Sequence, residues 1–116
     1  MKSSGSKRLS AACAFALGLS FAIAPLATSS PTRGTTHTVV IDGVRFEPET
    51  LSVRPGDTVV WVNHDPFPHT ATSQAGRFDS HEIGAGASWQ YTPDKSGVFP
   101  YVCTFHPTMR ATLIVR

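Results

Sequence analysis

Leu51-Ser52-Val53-Arg54-Pro55-Gly56-Asp57-Thr58-Val59-Val60-Trp61-Val62 sets the fold class of this chain. Leu51 to Val53 alternates apolar and polar residues, the period of a strand with one buried face. Pro55 followed by Gly56 fits a type II turn, with proline presetting φ and glycine supplying the positive φ after it. Thr58 to Val62 is β-branched except for Trp61 and reads as a strand, with Trp61 in the core. Toward the N-terminus, Val44-Arg45-Phe46 and His37-Thr38-Val39-Val40-Ile41 are shorter runs of the same kind. Asp42-Gly43 marks a turn between them, and Glu47-Pro48-Glu49 interrupts the run that follows.

Toward the C-terminus, Asn63 to Pro68 is a loop and His69 to Ser73 a further strand candidate. Gly76, Gly84 and Gly86 mark an irregular region. Ser88 to Thr92 then places Trp89 and Tyr91 on one face, Pro93 to Gly97 turns, and Val98 to Cys103 and Ala111 to Val115 complete the set. Pro100 lacks a donor and is expected at an edge or a bulge. Residues 30–116 keep no helical periodicity and show no internal repeat. Short strands at this spacing predict an all-β antiparallel sandwich or barrel.

The first quarter reads differently. Lys2, Lys7 and Arg8 precede an apolar, Ala-rich run from Leu9 to Ala27. That layout is a secretory signal over residues 1–29 rather than a stable membrane anchor. Ala27-Thr28-Ser29 is the favoured cleavage region, and Ala22-Ile23-Ala24 is a weaker one because Pro25 follows it. Lys7-Arg8 is a partial likeness to a twin-arginine signal. Residues 30–36 read as a flexible lead-in and 37–116 as the domain, in a mature chain of about 87 residues. The expected location is the periplasm. Cys13 goes with the signal, leaving Cys103 alone in an oxidising compartment, where no intramolecular disulfide can form. The formal charge of +2 becomes −1 without Lys2, Lys7 and Arg8. With no basic run, nucleic acid is not an expected partner.

Chemistry concentrates in Cys103-Thr104-Phe105-His106-Pro107-Thr108-Met109. A thiolate, an imidazole and a thioether stand three positions apart. Thiolate and thioether favour Cu(I), and imidazole serves either oxidation state. One more histidine would complete a His₂Cys set with a weak axial Met, the blue-copper arrangement. His69 and His64 are the candidates from the preceding loop. His37 and His81 are expected on the surface, and Asp57 and Asp65 in turns.

The chain resembles the cupredoxins, in particular the plastocyanin, pseudoazurin and amicyanin group. The resemblance runs from about Val39 to Val115. It rests on Val53-Arg54-Pro55-Gly56-Asp57-Thr58-Val59, on Trp61-Val62-Asn63 leading to Pro68-His69, and on Tyr101-Val102-Cys103 with His106-Pro107 and Met109. It implies a small antiparallel Greek-key β-sandwich holding one copper ion that cycles between Cu(I) and Cu(II). It further implies that His69, Cys103, His106 and Met109 are the ligands, since the short Cys-x-x-His-x-x-Met spacing is similar to that of amicyanin-like members. Thr70 is a departure, because the family usually has Asn after the first histidine, tying the two ligand segments together. A threonine hydroxyl has a shorter reach.

The function so implied is a monomeric, soluble one-electron carrier and not an enzyme. Redox partner proteins would dock on an apolar patch of Phe67, Pro68, Phe105, His106 and Pro107. The alternative is a copper-handling protein, a periplasmic carrier or buffer. A single methionine in the mature chain and a closed ligand set argue against it.

Overall fold

The computed structural model describes Gly5, Ala14, residues 16–26 and residues 34–116. The chain divides into a leading unit, Met1–Ser30, and a second unit, Pro31–Arg116. Among the described residues of the leading unit, Leu17, Leu19, Phe21, Ile23 and Leu26 are exposed. No helix among the described residues is long and apolar enough to cross a membrane. The positive start, Cys13 and the expected cleavage region at Ala27–Ser29 lie outside the described residues, as do residues 30–33 of the lead-in.

The described residues of the second unit form eight strands: β1 (Thr36–Ile41), β2 (Phe46–Glu47), β3 (Thr50–Val53), β4 (Thr58–Asn63), β5 (Thr72–Ser73), β6 (Ser88–Tyr91), β7 (Gly97–Val102) and β8 (Arg110–Val115). They form two four-stranded sheets, ordered β2-β1-β4-β6 and β3-β8-β7-β5. β4 is interior to its sheet, and its residues alternate between partly buried and buried, with Val59, Trp61 and Asn63 facing inward. The same period puts Val39 and Ile41 of β1 and Ala111, Leu113 and Val115 of β8 into the core between the sheets. The turn ahead of β4 is as its sequence reads: Gly56 has φ of 90° and Asp57 N–H donates to the Arg54 carbonyl at 3.0 Å.

The pairing is mixed, which corrects the expectation of wholly antiparallel sheets. β1 runs parallel to β4, and β3 runs parallel to β8. The reason lies in the interruption at Pro48 and Glu49. There the chain leaves the first sheet after β2, crosses to the second as β3, and crosses back through the Arg54–Asp57 turn to β4. Strands joined by such crossings need not alternate in direction, as hairpin partners must.

Pro100 lies inside β7 opposite Thr112. Its carbonyl accepts from Gln74 N–H at 3.1 Å. A strand residue's N–H and C=O point to the same side, so the missing donor of Pro100 faces the β5 side. There β5 pairs with Tyr101 and Val102, and beside Pro100 only the Gln74 N–H still reaches the strand, so the pairing with β5 ends where proline has no donor to return.

An aromatic cluster joins the two sheets. Trp61 is fully buried, and its Nε1–H donates to the Tyr101 hydroxyl at 3.2 Å across the core. Phe78 packs against Trp61, Trp89, Tyr91 and Tyr101, and Trp89 and Tyr91 lie stacked on the face expected of them. Burial pushes the Tyr101 hydroxyl well above its ordinary range despite the Trp61 hydrogen bond. It stays a neutral acceptor, and the ends of β4 and β7 are held in fixed relation.

Strand pairing starts just ahead of His37. Thr36 is already paired with Thr58, and Thr35 N–H donates to Asp57 Oδ1 at 2.8 Å. The Asp57 carboxylate also accepts from Arg54 N–H and pairs with His37 Nε2, each at 3.0 Å. His37 lies at the surface, half-buried against Asp57, because the parallel register sets β1 beside the turn before β4.

Candidate metal centre

Two segments meet at one end of the sandwich. One follows β4, from His64 through His69. The other joins β7 to β8, from Cys103 to Met109. The first is organised by Asn63, fully buried at the end of β4. Its amide donates to the carbonyls of Phe67, Ile83 and Gly84 at 2.9, 3.0 and 3.3 Å, and its Oδ1 accepts from Asp65 N–H at 2.9 Å. His69 is then locked by reciprocal backbone bonds with Ile83, at 3.1 and 2.7 Å. A short polar side chain thus fixes a loop that its two prolines alone would leave without donors.

The second segment is built from turns whose length matches the ligand spacing. His106 N–H donates to the Cys103 carbonyl at 3.2 Å, and Met109 N–H donates to the His106 carbonyl at 2.8 Å. Cys103 N–H closes the loop on the Met109 carbonyl at 3.1 Å. Cys103 and Met109 are buried, His106 is half-buried, and Thr104, Phe105, Pro107 and Thr108 point outward.

The structure brings His69 and Cys103 together. His69 is fully buried and its Nδ1 lies 3.6 Å from Cys103 Sγ. Its Nε2 lies 2.7 Å from Asp65 Oδ2. Burial pushes the Asp65 carboxyl up, but the N–H groups of Val44 and Gly43 and the His69 ring together hold it below the ordinary carboxylate range. An ionised carboxylate only accepts, so His69 Nε2 donates to Asp65, and Nδ1 is the nitrogen on the sulfur side. The ring of His106 lies 5.5 Å from that of His69, centroid to centroid. Among the described residues no three His, Cys, Asp or Glu side chains form a metal-binding group. His64, the competing histidine, is exposed, as is His81.

These residues fit a soft or borderline metal. Nitrogen– and sulfur–metal bonds of about 2.0 Å and about 2.3 Å sum to more than the 3.6 Å between His69 Nδ1 and Cys103 Sγ. His69 and Cys103 could therefore hold one ion between them. The donor set of thiolate, imidazole and a buried thioether is the kind that suits copper.

Thr70 spans the two segments despite its short side chain. Thr104 N–H donates to Thr70 Oγ1 at 2.9 Å, and the two hydroxyls share a further bond at 3.1 Å. Thr70 N–H points at Cys103 Sγ from 3.4 Å. The Thr70 hydroxyl also bonds Thr72, which donates to Asp79. His69 and Cys103 lie so close that a threonine suffices where an asparagine was expected.

Asn63 and Asp65 are the residues that reading the sequence alone misses. Asp65 has the signature of a turn residue, and only its place four positions before His69 hinted at more. Around the centre, Phe67, Pro68, Phe105 and His106 line a shallow, largely apolar depression of about 320 Å³. Phe67 is 40% and Phe105 51% exposed, and the Phe67 ring contacts those of both His69 and His106. Pro107 is exposed but does not line it.

Two sheets closed around an aromatic core, with one Cys-x-x-His-x-x-Met loop at their end, define a cupredoxin fold. The cupredoxin-like domain family matches residues 11–115, and the chain belongs to that family. It is 31% identical over 85 residues to the amicyanin of Paracoccus denitrificans, across 67% of this chain and 65% of that protein. It therefore spans a little under two-thirds of that amicyanin's length. It is 29% identical over 84 residues to the plastocyanin of Scenedesmus fuscus, across 61% of this chain and 86% of that protein. A solved Cu(I) structure of a methionine-to-alanine variant of amicyanin superposes with a TM-score of 0.66 at 28% identity, covering 70% of this chain and 82% of that one.

Proposed function

We propose that this protein is a blue-copper one-electron carrier, with His69, Cys103, His106 and Met109 holding a single copper ion. The observation that carries the reading is the approach of His69 Nδ1 to Cys103 Sγ, 3.6 Å apart in a fully buried pair. Copper, when bound, supplies a one-electron Cu(I)/Cu(II) couple. The protein's part is to keep the ligands where they are in both states. The ligand segments are tied to each other through Thr70, and each is braced by backbone bonds of its own, His69 to Ile83 and Cys103 to Met109, so little must reorganise when the charge changes. Four protein donors leave no position for a substrate, in contrast to a catalytic metal site, so the reading is a carrier and not an enzyme.

The electron enters and leaves through His106, the half-buried ligand, amid the exposed rings of Phe67 and Phe105. An apolar surface of this kind favours brief docking with a larger redox protein. Residues 1–29 act as a secretory signal, and residues 37–116 form the carrier domain, a monomer in the periplasm. Copper-loaded protein should exchange electrons rapidly with a substitution-inert metal complex while keeping its copper against an excess of chelator. Slow electron exchange with rapid loss of metal would reverse the reading in favour of a copper-delivery protein.

A further inference from the structure

Asp65 is buried beside the metal centre yet is none of its ligands. Its Oδ1 accepts from Gly43 N–H at 2.8 Å. Its Oδ2 accepts from Val44 N–H at 2.9 Å and faces His69 Nε2 at 2.7 Å. Its own N–H is held by Asn63 Oδ1. Three donors on two oxygens leave the carboxylate no freedom to swing. The hairpin turn that supplies two of them is bent to do so: Gly43 and Val44 both have positive φ, at 61° and 60°. A β-branched residue in that region is strained, and such strain persists only where the surroundings over-determine it. Here a single side chain from another loop binds the N–H of strained Val44 and of Gly43 before it.

We propose that Asp65 is a positioning residue for the copper centre, orienting His69 and biasing the metal toward Cu(II) through its charge. The inference rests on the copper reading above. The carboxylate fixes the proton on Nε2 and aims the Nδ1 lone pair toward Cys103. A carboxylate behind a ligating imidazole also raises the basicity of the ligand. A more basic, charge-backed ligand stabilises the more highly charged metal state. A backbone carbonyl in the same place would orient the ring without supplying the charge.

The test is voltammetry and visible spectroscopy of copper-loaded wild type and Asp65→Asn, which keeps an acceptor oxygen and removes the charge. The expected result is a retained thiolate-to-copper band with the preference for Cu(I) over Cu(II) raised about tenfold, an upward shift of about 59 mV for one electron. Asp65→Ala, which removes the acceptor too, should bind copper about 10- to 100-fold more weakly. Nitrogen-detected spectra of wild-type Cu(I) protein need no variant and should show His69 protonated at Nε2 with slow solvent exchange. An unmoved potential in Asp65→Asn with the band intact, or a His69 unprotonated at Nε2, overturns this inference alone. A wild-type protein without the band overturns the copper reading and this inference together.

Discussion

Thr104 N–H donates to Thr70 Oγ1 at 2.9 Å, joining the residue after one candidate ligand to the residue after the other. The bond crosses between the two segments that carry the site, so loosening it loosens the spacing of His69 and Cys103. Thr70→Val keeps the shape and removes the acceptor, leaving Thr104 N–H without its partner. The loss should be about 1–3 kcal/mol of stability, read as a lower urea midpoint, with the copper absorption band broadened.

Asn63 concentrates four hydrogen bonds in one fully buried side chain. Asn63→Ala strips the carbonyls of Phe67, Ile83 and Gly84 of a common donor. The cost should be about 3 kcal/mol, larger than for Thr70→Val, and apo and copper-loaded protein should both show it in chemical denaturation.

Asp57 gives the molecule an acid-sensitive tie far from the metal chemistry. Its carboxyl is lowered from 3.8 to about 2, first by the Arg54 N–H, then by His37 and the Thr35 N–H. The folded state holds the charged form more firmly than the unfolded chain does. The stabilisation is therefore fully present above about pH 3.8 and is lost as pH falls through about 2. Melting temperature should drop with acid across that window, and Asp57→Asn should flatten that part of the profile while lowering stability at neutral pH.

Phe67 and Phe105 stand exposed on either side of the His106 edge. Phe105→Glu or Phe67→Glu puts a charge on the docking face without touching a ligand. Electron transfer to a partner redox protein should slow by about tenfold or more, equivalent to about 1.4 kcal/mol of docking free energy, with the copper spectrum unchanged. Unchanged rates would show that the electron leaves elsewhere.

Sequence reading goes furthest where chemistry and spacing coincide. Pro55-Gly56 predicted a turn that the φ of Gly56 matches, and Thr58–Val62 predicted the central strand. The Cys-x-x-His-x-x-Met spacing is legible because it equals the span of the two turns that hold it. Strand direction was not legible, since alternation within a strand says which face is buried and nothing about its neighbour. β1 and β4 pair in parallel through a crossing that only Pro48 hinted at. The partners of His37 and Asp65 were not legible for a related reason: Asp57 and His69 lie across a register or a loop that local pattern does not encode. Thr70 looked too short because the distance it spans is a tertiary one.

The central claim is that Cys103 and His69 share one copper ion, and a visible absorption spectrum tests it most directly. Mature protein loaded with Cu(II) should show an intense thiolate-to-copper band, and Cys103→Ser should abolish it. A weak spectrum of nitrogen and oxygen ligation, the same in both proteins, would contradict the account.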